Sequence, residues 1–270
     1  FAHYVKWAAR GFADPAAYIL FIAGLVTVIG ANVTGPSGKF FPALFGALLL
    51  ALGIAMKPIV APAAAVLLAG CGLAALVGKQ WPRLAGLCLG TLPVFSMALH
   101  NWVFGHVFEL FSSNAGASDL LVMPPSAYVA VARELLSFDF SGGYAMRALT
   151  QVANWLSEPA ESYATIPLNA AGVAILLYVV LRGRQFDPWL RLVGASALAQ
   201  HVVALFYNAA IARYHFLTWF LTLLVVMVFM REVGIGWLQR RYPGAAERIA
   251  NHRRSRQLAS ALARLQKVSA

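Results

Sequence analysis

The chemistry this sequence offers most directly lies in Lys57, His100, Asn101, Arg213 and Tyr214. Two of these are cations at the edges of apolar runs, Lys57 in GIAMKPIVAP and Arg213 in IARYHFLTWF. An ionisable group beside a membrane span is costly, and it marks either an interfacial anchor or a functional site. As anchors, both would snorkel to the headgroups, with Tyr214 and Trp219 as belt aromatics. As site residues, they would hold an anion. A guanidinium takes phosphate oxygens two at a time, so Arg213 would bind a phosphate or pyrophosphate. His100 and Asn101 open the run HNWVFGHVFELFSSNAGASDLLVMPP. With His106, Ser112, Ser113 and Asn114, they gather donors and acceptors where an apolar segment ends. That run also reads as an ordinary polar loop leaving a membrane.

Other chemistries lack their patterns. There is no P-loop, no GxGxxG and no GxSxG. Cys71 and Cys88 form no CxxC pair, lie inside apolar runs and read as small packing residues. His100, His106, His201 and His215 could share the outer half of a bundle, but no ligand spacing supports a metal. Glu109, Asp119, Glu134 and Asp139 make no paired acidic motif, so no catalytic residue is identifiable.

The elements that would position these residues follow from composition. Of the 270 residues, 60% are hydrophobic and 11% charged; mean hydropathy is +0.70. A soluble domain carries ~25% charged residues, so an ordinary globule is excluded. Disorder, a coiled coil and a disulfide scaffold are excluded as well. The apolar runs are continuous and helix-length, which argues against a transmembrane barrel. The expected fold class is all-α: a polytopic membrane protein. The net charge of +11 then reads as positive-inside asymmetry and contact with anionic lipid, with no nucleic acid as partner.

A spanning helix needs ~20 apolar residues. About seven transmembrane helices are expected, over 15–34, 40–57, 59–78, 84–104, 166–181, 188–208 and 212–230. Lys57-Pro58 breaks the second from the third, because proline disfavours helix at the residue before it. Lys79 and Arg83 flank one short loop, and Arg182, Arg184 and Arg191 flank another. With the basic tail after 230, these belong on the cytoplasmic side. Residues 105–165 are richer in acid and belong outside. The expected topology has the N-terminus outside and the C-terminus inside. It places Lys57, the 105–165 loop and Arg213 on one outer face.

The organisation reads as an interfacial helix at 1–14, four transmembrane helices within 15–104, a periplasmic helical loop at 105–165, three transmembrane helices within 166–230 and a basic cytoplasmic tail at 231–270. In the loop, helices are expected over 126–137 and 144–157, with Gly142-Gly143 between them. Leu149, Val152, Trp155 and Leu156 give the second an apolar stripe. The tail predicts a basic amphipathic helix over 243–268, with Leu258, Leu262 and Leu265 on one face. It reads as a membrane-surface anchor or a docking helix for a protein partner.

Three runs taken in order resemble the GT-C superfamily of polyprenyl-phosphate-sugar-dependent membrane glycosyltransferases, which includes protein mannosyltransferase-like and aminoarabinose-transferase-like proteins. GIAMKPIVAP resembles the family's Lys-Pro span. HNWVFGHVFELFSSNAG resembles its Arg-Asn-Tyr…Asn-x-Gly exit from the membrane, with His100 in place of the arginine. IARYHFLTWFLTLL resembles its late Arg-Tyr span. The resemblance covers most of 40–230. It implies transfer of a sugar from a polyprenyl-phosphate donor to an acceptor on the periplasmic face of a bacterial inner membrane. Lys57 and Arg213 would face the phosphate, and His100, Asn101 and Tyr214 would lie beside it. The family sometimes adds a divalent metal. Its catalytic Asp sits in an early outer loop expected upstream of Phe1, so the chain reads as a C-terminal part or a shortened relative. A non-catalytic subunit of a larger complex is the alternative. A transporter for an anionic lipid, suggested by breaks at Pro58, Pro62 and Pro93, ranks third.

Overall fold

Proline sets most helix starts in this chain, because a missing N–H costs nothing in a first turn. The computed structural model describes residues 13–30, 40–106, 123–157, 162–182, 185–206 and 216–241. Its helices are α1 (Ala13–Gly30), α2 (Phe40–Met56), α3 (Ala61–Val77), α4 (Trp81–Thr91), α5 (Ser96–Gly105), α6 (Pro125–Ser137), α7 (Tyr144–Ser157), α8 (Ile166–Leu181), α9 (Pro188–Phe206) and α10 (Phe216–Arg241). Tight 3-10 turns lead into α3 (Pro58–Val60) and α8 (Tyr163–Thr165), and a third, Leu92–Phe95, joins α4 to α5. No strand occurs among the described residues.

Among the described residues, five helical stretches are long and apolar enough to cross a membrane: Pro58–Val77, Trp81–Gly105, Tyr163–Leu181, Pro188–Phe206 and Phe216–Trp237. These overlap five of the seven expected spans. The other two expected spans are shorter as described, Pro15–Gly30 and Phe40–Met56. At 1.5 Å per residue, α2 reaches roughly 25 Å, against ~30 Å of hydrocarbon. Polarity is inverted relative to a soluble protein. Gln200, His201, Thr218 and Thr222 are buried, whereas Leu73, Val77, Leu92, Trp102, Leu168, Leu181 and Leu223 are exposed. Lipid tolerates such a surface, and interior hydroxyls and amides then bond across helices.

Residues up to Val225 form one compact unit. In it, α2 packs against α1, α3 and α4. Gly86 and Gly90, four apart on α4, let that helix approach the α2 backbone. A Cβ on Gly86 would stand 2.5 Å from the Phe40 carbonyl, and one on Gly90 would strike the Leu44 carbonyl. This is the small-xxx-small packing of membrane helices. α9 packs on α3, α8 and α7. Its Gln200 bonds Ile59 and Ala63 near the start of α3, and its Trp189 stacks with Arg83 just beyond the end of α3. The two helices are therefore antiparallel. One end of the bundle carries Lys57 and Gln200, the other Lys79, Arg83 and Trp189.

The second unit begins at Val226. Its described part is the remainder of α10, where Met227, Met230, Arg231, Val233 and Trp237 are exposed. The expected interfacial helix at 1–14, apart from Ala13 and Asp14 in α1, and the expected tail helix at 243–268 lie outside the described residues.

The turn between α3 and α4 follows a regular C-cap. Lys79 N–H donates to Leu76 O (3.1 Å) and Gln80 N–H to Ala75 O (2.8 Å), with Lys79 left-handed at φ 51°. That is a Schellman arrangement with lysine where glycine is usual. Arg83 departs from its expected place at a loop edge. It lies in the first turn of α4 and is 3% exposed.

Candidate functional site

Lys57 stands at the α2–α3 break. Pro58 forces it into extended backbone (φ −149°, ψ 98°), so its side chain leaves where two apolar helices separate. It is half-buried. The break itself is held from across the bundle. Gln200, 1% exposed, donates from Nε2 to the Ile59 carbonyl at 2.6 Å and accepts at Oε1 from the Ala63 N–H at 3.3 Å. Ile59 and Ala63 are four residues apart and would bond each other in an unbroken helix. Inserting one amide between them satisfies both, and the opened ladder sets the break that carries Lys57.

Next to Gln200, His201 is buried in an aromatic setting. Its Nε2 is 2.7 Å from the Thr222 hydroxyl. Its ring makes edge contacts with Trp155 (5.2 Å) and Trp219 (4.8 Å), and the two indoles lie 6.1 Å apart. Trp155 belongs to α7, so this cluster fastens the loop helices to the bundle. Two further straps do the same. Gln151 donates to the Leu205 carbonyl and to the Tyr128 hydroxyl, and Asn169 donates to the Leu156 carbonyl at 2.6 Å. The α6–α7 pair therefore sits at the end of α9 that also holds the Lys57 break.

The hairpin is internally locked. Glu134 of α6 is buried, and its carboxylate accepts from the N–H groups of Tyr144 (3.1 Å) and Ala145 (2.7 Å) at the start of α7. A negative cap is favoured there by unmet amides and the helix dipole. Gly142 leaves room for it, since a Cβ at that position would strike Glu134 Oε1. Asp139 accepts from the Ser141 N–H at 3.1 Å in the connecting turn. Bonds from Ser141, side chain first and backbone second, hold its carboxyl below the usual range. A lowered folded-state value stabilises above the unfolded value of ~3.9 and is lost as pH falls through the acid range. Replacing Glu134 with Ala should cost about 1–3 kcal/mol. Amide exchange at Tyr144 and Ala145 should rise while α9 is unaffected. Unchanged protection would show the cap to be idle.

Between the start of α6 and α7 lies a cleft of about 670 Å³, lined among others by Pro124, Tyr144, Arg147, Thr150, Gln151 and Asn154. The Arg147 guanidinium is exposed and sits 5.8 Å from the Tyr144 ring centroid. The Tyr163 hydroxyl bonds Asn154 Oδ1 at 3.0 Å. One cation, one aromatic face, two amides and a hydroxyl suit a polar, hydroxyl-rich or anionic group.

Of the residues expected at the site, Lys57, His100 and Asn101 are described. His100 is exposed near the end of α5, its ring 4.9 Å from that of Phe104 and tilted 44° to it, and Asn101 is half-buried on the same helix. Arg213 and Tyr214 lie outside the described residues, so their distances from Lys57 are not part of this geometry. No group of three or more metal-ligating side chains occurs among the described residues. The sequence reading missed Gln200, Gln151 and Arg147. A glutamine inside an apolar run was the one available signal. The expected stripe on α7 splits: Leu156 is buried and Trp155 half-buried, but Leu149 and Val152 are exposed. No protein-family model, curated protein or solved structure matches this chain.

Proposed function

We propose that the chain acts as a GT-C-type integral membrane glycosyltransferase, moving a sugar from a polyprenyl-phosphate donor to an acceptor at the periplasmic face of a bacterial inner membrane. In this reading it has seven spans, N-terminus outside, and α1 and α2 complete the set. The observation that carries the reading is the hairpin cleft, which shares the Lys57 end of α9. A half-buried cation at a helix break can meet a carrier phosphate. The amides, hydroxyl and aromatic face of the cleft can receive a sugar. Charge stabilisation of the leaving phosphate is the main demand of such a transfer. The ordered resemblance of three sequence runs supports the same conclusion.

The test is transfer from a polyprenyl-phosphate sugar in proteoliposomes. Lys57→Ala and Arg213→Ala should each lower transfer about 10- to 100-fold, as expected for a lost charged phosphate contact. Full activity in both folded variants would refute the reading. A second reading, a non-catalytic subunit of a larger complex, is favoured by the carboxylates of the hairpin. Glu134 and Asp139 are both engaged by backbone N–H groups, which leaves neither as a ready base. Native purification with a stoichiometric partner that carries the activity would decide for it.

A further inference from the structure

The end of the bundle opposite Lys57 holds a buried cation with unmet donors. Arg83 is 3% exposed. Its Nη1 donates to the Gln80 side-chain oxygen at 3.3 Å, and its guanidinium lies 5.6 Å from the Trp189 ring centroid. Nε and Nη2 are buried with no nitrogen or oxygen partner among the described residues; the one described group beside the guanidinium that could accept from them is the Cys71 thiol, a weak sulfur acceptor. These two nitrogens form one edge of the guanidinium, the parallel pair of donors that an oxyanion accepts. Arginine does not relieve burial by losing its proton, so an uncompensated guanidinium here is costly. Its described neighbours give no counter-charge. Gln80 and Trp189 are neutral, and Cys71 lies alongside. The Asp187 carboxylate caps α9, accepting from the Trp189 N–H at 2.8 Å.

The start of α4 adds donors of its own. Gln80 is the N-cap residue and makes no side-chain cap bond, while Arg83 folds back onto it. Pro82 has no N–H, so the first-turn amides without intrahelical partners are those of Trp81 and Arg83, and the positive end of the helix dipole favours an anion. Lys79 stands in the same turn, and Arg182 and Arg191 lie on the adjoining ends of α8 and α9. This turn joins two helices long and apolar enough to span a membrane, so it falls at the depth of lipid headgroups.

We propose that the α3–α4 turn binds a phosphate, gripped by Arg83 Nε and Nη2 with the start of α4 behind it. The phosphate comes from an anionic phospholipid headgroup or from solution. Gln80 holds only Nη1, so the Nε and Nη2 edge is the one left to the phosphate. The site is independent of the carrier reading at the Lys57 end.

The test uses the full chain, delipidated in detergent and titrated separately with phosphatidylglycerol, phosphatidylcholine and inorganic phosphate. Native mass spectrometry counts bound lipid, and thermal unfolding reads the coupling. Wild type should retain one phosphatidylglycerol and be stabilised by it, and Arg83→Met should weaken that binding at least about tenfold. If inorganic phosphate alone stabilises wild type and Arg83→Met abolishes this, the site stands with a soluble ligand. Arg83→Met removes an uncompensated buried charge, so it should fold at least as well as wild type without lipid. Should it fail to fold, Arg83→Lys keeps the charge, loses the paired donors and should still weaken binding. Unchanged affinity in a folded Arg83 variant overturns the proposal. So does wild type that binds phosphatidylglycerol no better than phosphatidylcholine and ignores phosphate.

Discussion

Gln200→Leu is expected to destabilise the protein by about 2–5 kcal/mol, measured by unfolding in detergent micelles. Leucine fills similar space, so lost packing contributes little. The cost comes from the Ile59 carbonyl and the Ala63 N–H, which Gln200 now serves at 2.6 and 3.3 Å. Each buried group left without a partner costs about 1–3 kcal/mol. Gln200→Glu should be damaging as well, since it keeps an acceptor for Ala63 but loses the donor for Ile59.

The mechanism can be separated from simple misfolding by a double mutant. Pro62 is the second residue of α3, just before Ala63, and without an N–H it keeps the helix from extending back through the break. Replacing Pro62 with Ala restores an N–H for the Pro58 carbonyl and removes the ring that crowds it, so the segment can continue as regular helix and close the next bond, from Ala63 to Ile59. Gln200 then has less to supply. Gln200→Leu should cost less in the Pro62→Ala background than in wild type, a coupling of about 1 kcal/mol or more. Strict additivity would mean that the amide does not hold the break. In a transfer assay the same pair should move Lys57, so Gln200→Leu should lower activity even in protein that remains folded.

Much of the fold is legible in the sequence because its signals are local. Hydropathy over ~20 residues marks the long apolar helices. Pro124-Pro125 and Gly142-Gly143 bound the loop helices to within a residue of Pro125–Ser137 and Tyr144–Ser157. The candidate site is less legible because its defining bonds are not local. Gln200 and Ala63 are 137 positions apart, and nothing in either segment names the other. The same holds for Trp155, His201 and Trp219, which come from three helices. Arg83 shows a different limit. A sequence displays a charge near a loop but not its burial, and here helix geometry turns the side chain inward. Gly86 and Gly90 form a readable small-xxx-small pair that the span assignment passes over. A window of mean hydropathy averages such spacing away.

Gly90→Val should be the other large loss, about 3 kcal/mol or more, because overpacking against backbone has no cheap relief. A Cβ on Gly90 would strike the Leu44 carbonyl and stand 2.8 Å from the Ala47 Cβ and 2.9 Å from the Leu48 N. Two of these three are main-chain atoms of α2, so the whole helix must retreat. That would also open the contacts of α2 with α1 and α3, which share the same helix. Gly70→Ala provides the contrast. The three atoms nearest its new Cβ all belong to the Leu192 side chain, which can change rotamer, so the cost should stay under about 1.5 kcal/mol. Ala47→Gly should rescue Gly90→Val only in part, since it removes one obstacle and leaves the Leu44 carbonyl. Comparable stability of Gly90→Val and Gly70→Ala would mean that α2 and α4 do not meet backbone to backbone. The register that carries Lys57 at the end of α2 would then have to be redrawn.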